Sequence, residues 1–259
     1  MHIFEITVPG HWIKSDDIHW NRAMQDRLTS LESIFFEANM ALNLFLLPHP
    51  IRARPTLEDI DRQVARKNEI KEKLERDFYE NPQIGKIKPD FFDVERTYKR
   101  ERWNAGILPR EMSSTIPRIH ARAFLYALDN FNNSLKLLNN EKGVPDKLAS
   151  AHYNFSKRFP GLKGIRDSAH HPEMRERQLN KNFKPIDTKP ISDGPFKNQD
   201  GSFFIVDNLD GSKYGGTTGD GDFAEVDVSV ESMERLRSTL YEVYDSFEWH
   251  GGPRYAPME

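Results

Sequence analysis

"SDDIHWNRAMQDRLTSLESIFFEANMALNLFLL", residues 15–47, sets the fold. Its apolar positions Trp20, Met24, Leu28, Leu31, Phe35, Ala38, Leu42 and Phe45 recur at steps of three and four, the spacing that lines one face of an α-helix. A half-buried strand would show a period of two instead. One long amphipathic helix is therefore expected, capped by Ser15 or a following aspartate and ended by "PHPIRARP" at residues 48–55.

The same period recurs along the chain. "TLEDIDRQVARKNEIKEKLERDFYE", residues 56–80, opens with a capping-box pattern from Thr56 to Asp59 and carries a thin stripe of Ile60, Val64, Ile70 and Leu74. Such a helix should be mostly exposed. A shorter helix is expected within "PDFFDVERTYKRERWNAG", residues 89–106. "SSTIPRIHARAFLYALDNFNNSLKLLNN", residues 113–140, places Ile116, Ile119, Phe124, Leu128, Phe131, Leu135 and Leu138 on one face, and Asn139, Asn140 and Gly143 stop it. A further helix begins at Asp146. Met233, Leu236, Leu240, Val243 and Phe247 mark a last one over residues 231–249.

Between these helices the period changes. In "SFFIVDNLDGSKYGGTTGDGDFAEVDVSV", residues 202–230, Ala224, Val226, Val228 and Val230 alternate with polar neighbours, and "LDG" and "GDGD" are turn sequences. This predicts a two- or three-stranded antiparallel meander, to which "IFEITV" at residues 3–8 adds a strand. The fold class is mainly α: a helical bundle over roughly 15–180, a small β-meander over roughly 200–230 and a C-terminal helix, forming a single domain over 1–259.

Composition narrows the function. The 259 residues are 30% charged and 37% hydrophobic with a net charge of −3, which describes a folded chain with a wet surface and no overall field attracting nucleic acid. Cysteine is absent, which removes thiol nucleophiles, disulfides and thiolate metal sites. Neither a signal-type leader nor a membrane-length apolar run stands out, so a cytoplasmic location is expected.

The most suggestive stretch is "GLKGIRDSAHHPEMRERQLN", residues 161–180. Arg166 and His170 lie four apart and share a helical face. Pro172 disfavours the α region at His171 and suits the first position of a new helix, so His171 falls at a break from which its side chain can swing back toward Arg166. A cation and an imidazole at a kink form a place to hold a phosphate. A plainer reading pairs Arg166 with Asp167 on the surface, packs His170 on a helix end and uses His171 to cap the turn.

At these residues the sequence resembles the HEPN domains, whose motif is an arginine, a polar residue and, four to six positions later, a histidine. Arg166, Asp167 and His171 match it over at best residues 111–180. Asp167 replaces the commoner Asn, and His170 is an additional histidine. The resemblance implies a helical bundle and metal-independent endoribonuclease activity without a cofactor, in a homodimer that brings two motifs together. It also implies a toxin, defence or RNA-processing role, with RNA and a protein partner such as an antitoxin as the expected contacts. The candidate catalytic set is Arg166, His171 and Asp167, which the resemblance implies, with the additional His170. An imidazole near its ordinary pKa can take the proton of a ribose 2′-hydroxyl, and a guanidinium can stabilise the phosphorane charge. The alternative is a non-catalytic helical module binding RNA, a nucleotide or a protein.

Weaker signals remain. In "ERTYKRERW" the cations Arg96, Lys99, Arg100 and Arg102 stand beside Tyr98 and Trp103, a composition suited to single-stranded nucleic acid such as RNA, although Glu95 and Glu101 interrupt it and a solvated helix face is the plainer reading. His170, His171 and Glu173 with His152 or His250 are a zinc alternative without zincin spacing, so no metal site is expected. "DNLDGSKYGGTTGDGD" lacks the EF-hand spacing and reads as hairpin turns. No phosphate-binding glycine fingerprint opens a helix.

Overall fold

The computed structural model describes residues 1–48, 55–81, 87–191, 197 and 203–258. In chain order the elements are β1 (Ile6–Val8), β2 (Trp12–Ile13), α1 (Ile18–Leu46), α2 (Leu57–Glu80), α3 (Phe91–Asn104), α4 (Arg110–Ser113), α5 (Ile116–Asn139), α6 (Lys147–Arg158), α7 (Leu162–His170) and α8 (Pro172–Glu176). They continue with β3 (Asn208–Asp210), β4 (Lys213–Thr217), β5 (Phe223–Asp227), α9 (Val230–Tyr244), β6 (Trp249–His250) and β7 (Arg254–Ala256). More than half of the described residues are helical, as the dominant period predicts. None of the helices is long and apolar enough to cross a membrane among the described residues. The chain divides into two compact units, Met1–Leu47 with Pro117–Glu259, and Pro48–Ile116.

The larger unit holds the main core. Leu28, Leu31, Phe35 and Leu42 of α1, Phe124, Leu128, Phe131 and Leu135 of α5, and Leu236 and Leu240 of α9 are all at 0% exposure, the positions the three-and-four spacing selects. Phe155 of α6 stacks on Phe131 with ring centroids 5.7 Å apart. Each such side chain contributes about 1.5–3 kcal/mol through burial. Ile119 departs from the expectation at 55% exposure, because it lies five residues before Phe124 and nine before Leu128, about 140° and 180° around the helix from them. Asp17, rather than Ser15, caps α1, accepting from the backbone N–H groups of His19 and Trp20 at 2.9 and 3.0 Å.

Polar groups on these helices also have structural work. Asn39 and Asn43, one turn apart on α1, give their amides to the His2 carbonyl and accept from the Phe4 and His2 N–H groups. They act as a side-chain ladder for the extended chain entering β1. On α6, Asp146 begins the helix without a side-chain cap bond. Arg158 instead ties α6 to α9 through Thr239 at 2.8 Å and through Glu242.

Among the described residues, three small antiparallel sheets complete this unit. The meander order is β3-β4-β5, with Tyr214 opposite Val226 and Gly216 opposite Ala224. Val226 and Val228 are buried, whereas Val230 already belongs to α9. Residues 200–202, the start of the expected meander, lie outside the described residues, as do most of the turn residues expected to end α1. β1 does not join the meander. It pairs with β7, Ile6 opposite Ala256, and β2 pairs with β6. The last helix correspondingly stops at Tyr244, and Trp249 forms part of a strand instead of its final turn.

The smaller unit consists of α2, α3 and α4. Both long helices open with complete capping boxes, Thr56 with Asp59 and Asp90 with Asp93. Among its described residues Ile70 and Val94 are the buried apolar ones, in keeping with the thin stripe of α2.

Candidate functional site

α7 lies against the β4–β5 hairpin because two glycines let it. Gly161, at φ +77°, starts the helix in the left-handed region, and a Cβ there would lie 2.8 Å from that of Ala224. A Cβ on Gly164 would lie 2.8 Å from Thr218 Cγ2. With that face covered, Arg166 and His170 turn toward α5, sharing a face as their spacing requires.

Arg166 is held at two points. Its Nε donates to Asp129 Oδ2 at 2.8 Å, and its Nη1 meets Asp167 Oδ1 at 2.8 Å. Asp129 is buried, its side chain 7% exposed, and also accepts from Asn133 Nδ2 at 2.9 Å. Nη2 of Arg166 has no hydrogen bond among the described residues. The guanidinium thus keeps one edge available while two carboxylates compensate its charge.

The imidazoles occupy the helix end. The His170 ring stands edge-on to Tyr126 of α5, centroids 5.8 Å apart, and to His171 at 5.7 Å. His171 leaves the helix at φ −123° and ψ 58°, as the following proline requires. Its carbonyl accepts from the N–H groups of Met174 and Arg175, both at 3.2 Å, which starts α8 with Pro172 at its first position. The side chain is 54% exposed, with Nδ1 3.4 Å from Glu173 Oε1. Neither histidine hydrogen-bonds to Arg166, so the swing of His171 toward that residue is not the conformation seen. Arg166–Asp167 pairing and a packed His170 are instead what the plainer reading describes.

Sequence reading missed the partners supplied by α5. Arg122, Tyr126, Asp129 and Asn133 follow one another at steps of four, three and four, a polar ridge beside the apolar face. That spacing was the available signal. Arg122 donates from Nε to Asp207 Oδ1 at 3.0 Å and to the Tyr214 hydroxyl at 3.2 Å, and Tyr214 donates to the same carboxylate at 2.7 Å. Burial disfavours the Arg122 charge, but these bonds outweigh it and raise its pKa. Burial and the adjacent Asp207 carboxylate push the Tyr214 phenol well above its ordinary range.

The basic stretch lies on α3, in the smaller unit. Arg96 pairs with Asp93 at 3.2 Å. Arg102 donates to the Tyr98 hydroxyl at 3.2 Å and stands 5.7 Å from that ring's centroid. Glu101 is engaged by Arg66 at 3.0 and 2.9 Å and Glu95 by Lys67, so the interrupting acids are compensated within α2 and α3. Lys99 and Arg100 are exposed, with no carboxylate within 4.0 Å among the described residues. The zinc alternative has no geometry behind it: no cluster of three metal-ligating side chains occurs among the described residues.

No protein-family profile, no curated protein and no solved structure matches the chain.

Proposed function

We propose that the α7–α8 break is the centre of a HEPN-like, metal-independent endoribonuclease acting as a homodimer. The observation that carries this reading is the gathering of Arg166, Asp167, His170 and His171 at one exposed helix end, with the Arg166 Nη2 edge uncommitted and the His171 ring accessible. In this scheme His171 takes the proton from a ribose 2′-hydroxyl, the 2′-oxygen attacks the adjacent phosphorus and the 5′-oxygen leaves. The products are a 2′,3′-cyclic phosphate and a 5′-hydroxyl. Arg166 offers its free edge to a non-bridging oxygen, with Asp129 and Asp167 fixing its plane. His170 orients the His171 ring. A second copy supplies the acid for the leaving group, and exposed Lys99 and Arg100 contribute to RNA affinity.

The test is cleavage of mixed RNA in EDTA by the purified protein. Cyclic-phosphate ends, lost when the scissile 2′-position is deoxy or methoxy, are expected; metal-dependent cleavage would overturn the scheme. Double compensation of Arg166 favours a second reading, a non-catalytic module that binds RNA, a nucleotide or a protein. It would be distinguished by RNA binding without turnover.

A further inference from the structure

A cavity of about 190 Å³ lies between α7, α8 and the meander, and neither Arg166 nor His170 lines it. Arg122, Ser168, Ala169, Arg175 and Tyr214 are among its lining residues. We infer that it is a binding site for a small phosphate-bearing anion, held by Arg175.

Arg175 is only 4% exposed, yet no carboxylate lies within 4.0 Å of its guanidinium among the described residues. Its Nε donates to the Ser168 hydroxyl at 3.0 Å and its Nη1 to the Leu179 carbonyl at 2.5 Å. Nη2 has no hydrogen bond among the described residues. Nearby Gly219 has no side chain to cover it: a Cβ there would lie 3.1 Å from Nη2. Buried charges are ordinarily paired, because desolvating an uncompensated ion costs several kcal/mol. Burial accordingly pulls the Arg175 pKa down, and Asp167, Asp220 and Glu173 oppose this only from a distance.

The rest of the lining fits an anion. The Arg122 cation is already matched by Asp207, so Arg175 is the uncompensated charge. Glu176, the other carboxylate of the lining, is on the exposed side of α8. Ser168 donates to the Thr217 carbonyl at 3.1 Å while accepting from Arg175, which locks the guanidinium plane against the strand. The volume is below the usual range of about 300–1,000 Å³ for drug-sized ligands, so the occupant is a phosphate ion or a short phosphate monoester. A guanidinium gives such a group charge-assisted, directional bonds. This site is independent of the ribonuclease reading: its lining includes none of Arg166, Asp167, His170 or His171.

Calorimetric titration of the full chain with inorganic phosphate and with glycerol phosphate, at matched ionic strength and with formate as control, tests the assignment. Saturable phosphate binding with little response to formate is expected. Tighter binding of glycerol phosphate would identify the occupant as a monoester, and equal or weaker binding would identify the free ion. Arg175→Gln should weaken affinity by about 10- to 100-fold. Since that variant also loses the Leu179 bond, Ala169→Leu serves beside it, filling the cavity from a helix that tolerates leucine while leaving Arg175 in place. Abolished binding with unchanged circular dichroism in Ala169→Leu supports the site. Undiminished binding there, or no saturable phosphate binding by the wild-type chain, would overturn it.

Discussion

Arg166 reaches back to Asp129, thirty-seven residues earlier in the chain, and binds its buried carboxylate through Nε at 2.8 Å. The contact joins α7 to α5 and fixes the guanidinium plane. Asp129→Ala leaves Arg166 and Asn133 without their acceptor, so a loss of about 1–3 kcal/mol is expected in denaturant unfolding. If the ribonuclease reading holds, turnover should fall more than RNA affinity does. An unchanged midpoint would mean that Asp129 carries little of the junction's stability.

The two adjacent histidines should separate cleanly. The His171 side chain is 54% exposed, so His171→Ala should leave the melting temperature nearly unchanged while, on the ribonuclease reading, lowering RNA cleavage by about 10²- to 10⁴-fold. His170 stands edge-on to Tyr126, so His170→Ala should cost about 0.5–1.5 kcal/mol and reduce cleavage less. The reverse order of activities would make His170 the proton acceptor.

Gly164 offers a test of how α7 is seated. Replacing it with alanine raises intrinsic helix propensity by about 0.8–1 kcal/mol, yet the new Cβ meets Thr218 Cγ2. Overpacking of about 1–3 kcal/mol should prevail, giving a net loss in thermal unfolding. Thr218→Ser removes the opposing methyl group and should recover part of that loss in the double variant.

Acid should weaken the larger unit through His152 on α6. Burial of the imidazole and the Lys136 charge hold its pKa below the ordinary 6.5. The unfolded chain therefore takes up a proton that the folded chain resists, and stability falls as pH drops through 6.5 toward the folded value. His152→Gln should show a shallower decline in melting temperature than the wild type between about pH 7.5 and 5.5. Parallel declines would remove His152 from the account.

The helices were legible where one face alone determines burial. Leu28, Leu31, Phe35 and Leu42 follow from spacing, and the Thr56–Asp59 box marks a helix start that the structure reproduces. Asn39 and Asn43 were not legible, because a polar residue on an amphipathic helix ordinarily faces water, and their partner is the backbone of His2, remote in sequence. β6 and β7 were missed for a related reason: two or three residues are too few to display a period. At the site, spacing gave the break at His171 correctly, since proline acts locally. It did not give Asp129 or the cavity beside Arg175, both of which arise only when separate elements pack together.

The pairing of β1 with β7 bears on the order in which the protein is made. β1 and β2 are translated long before their partners Arg254–Ala256 and Trp249–His250. Glu32, buried on α1, waits equally for Arg254. The strands β1 and β2 therefore lack their partners until β6 and β7 have been made, which places the loop-closing step of folding after the synthesis of Arg254–Ala256. Removing β7 would accordingly unfasten a region more than two hundred residues upstream of the cut.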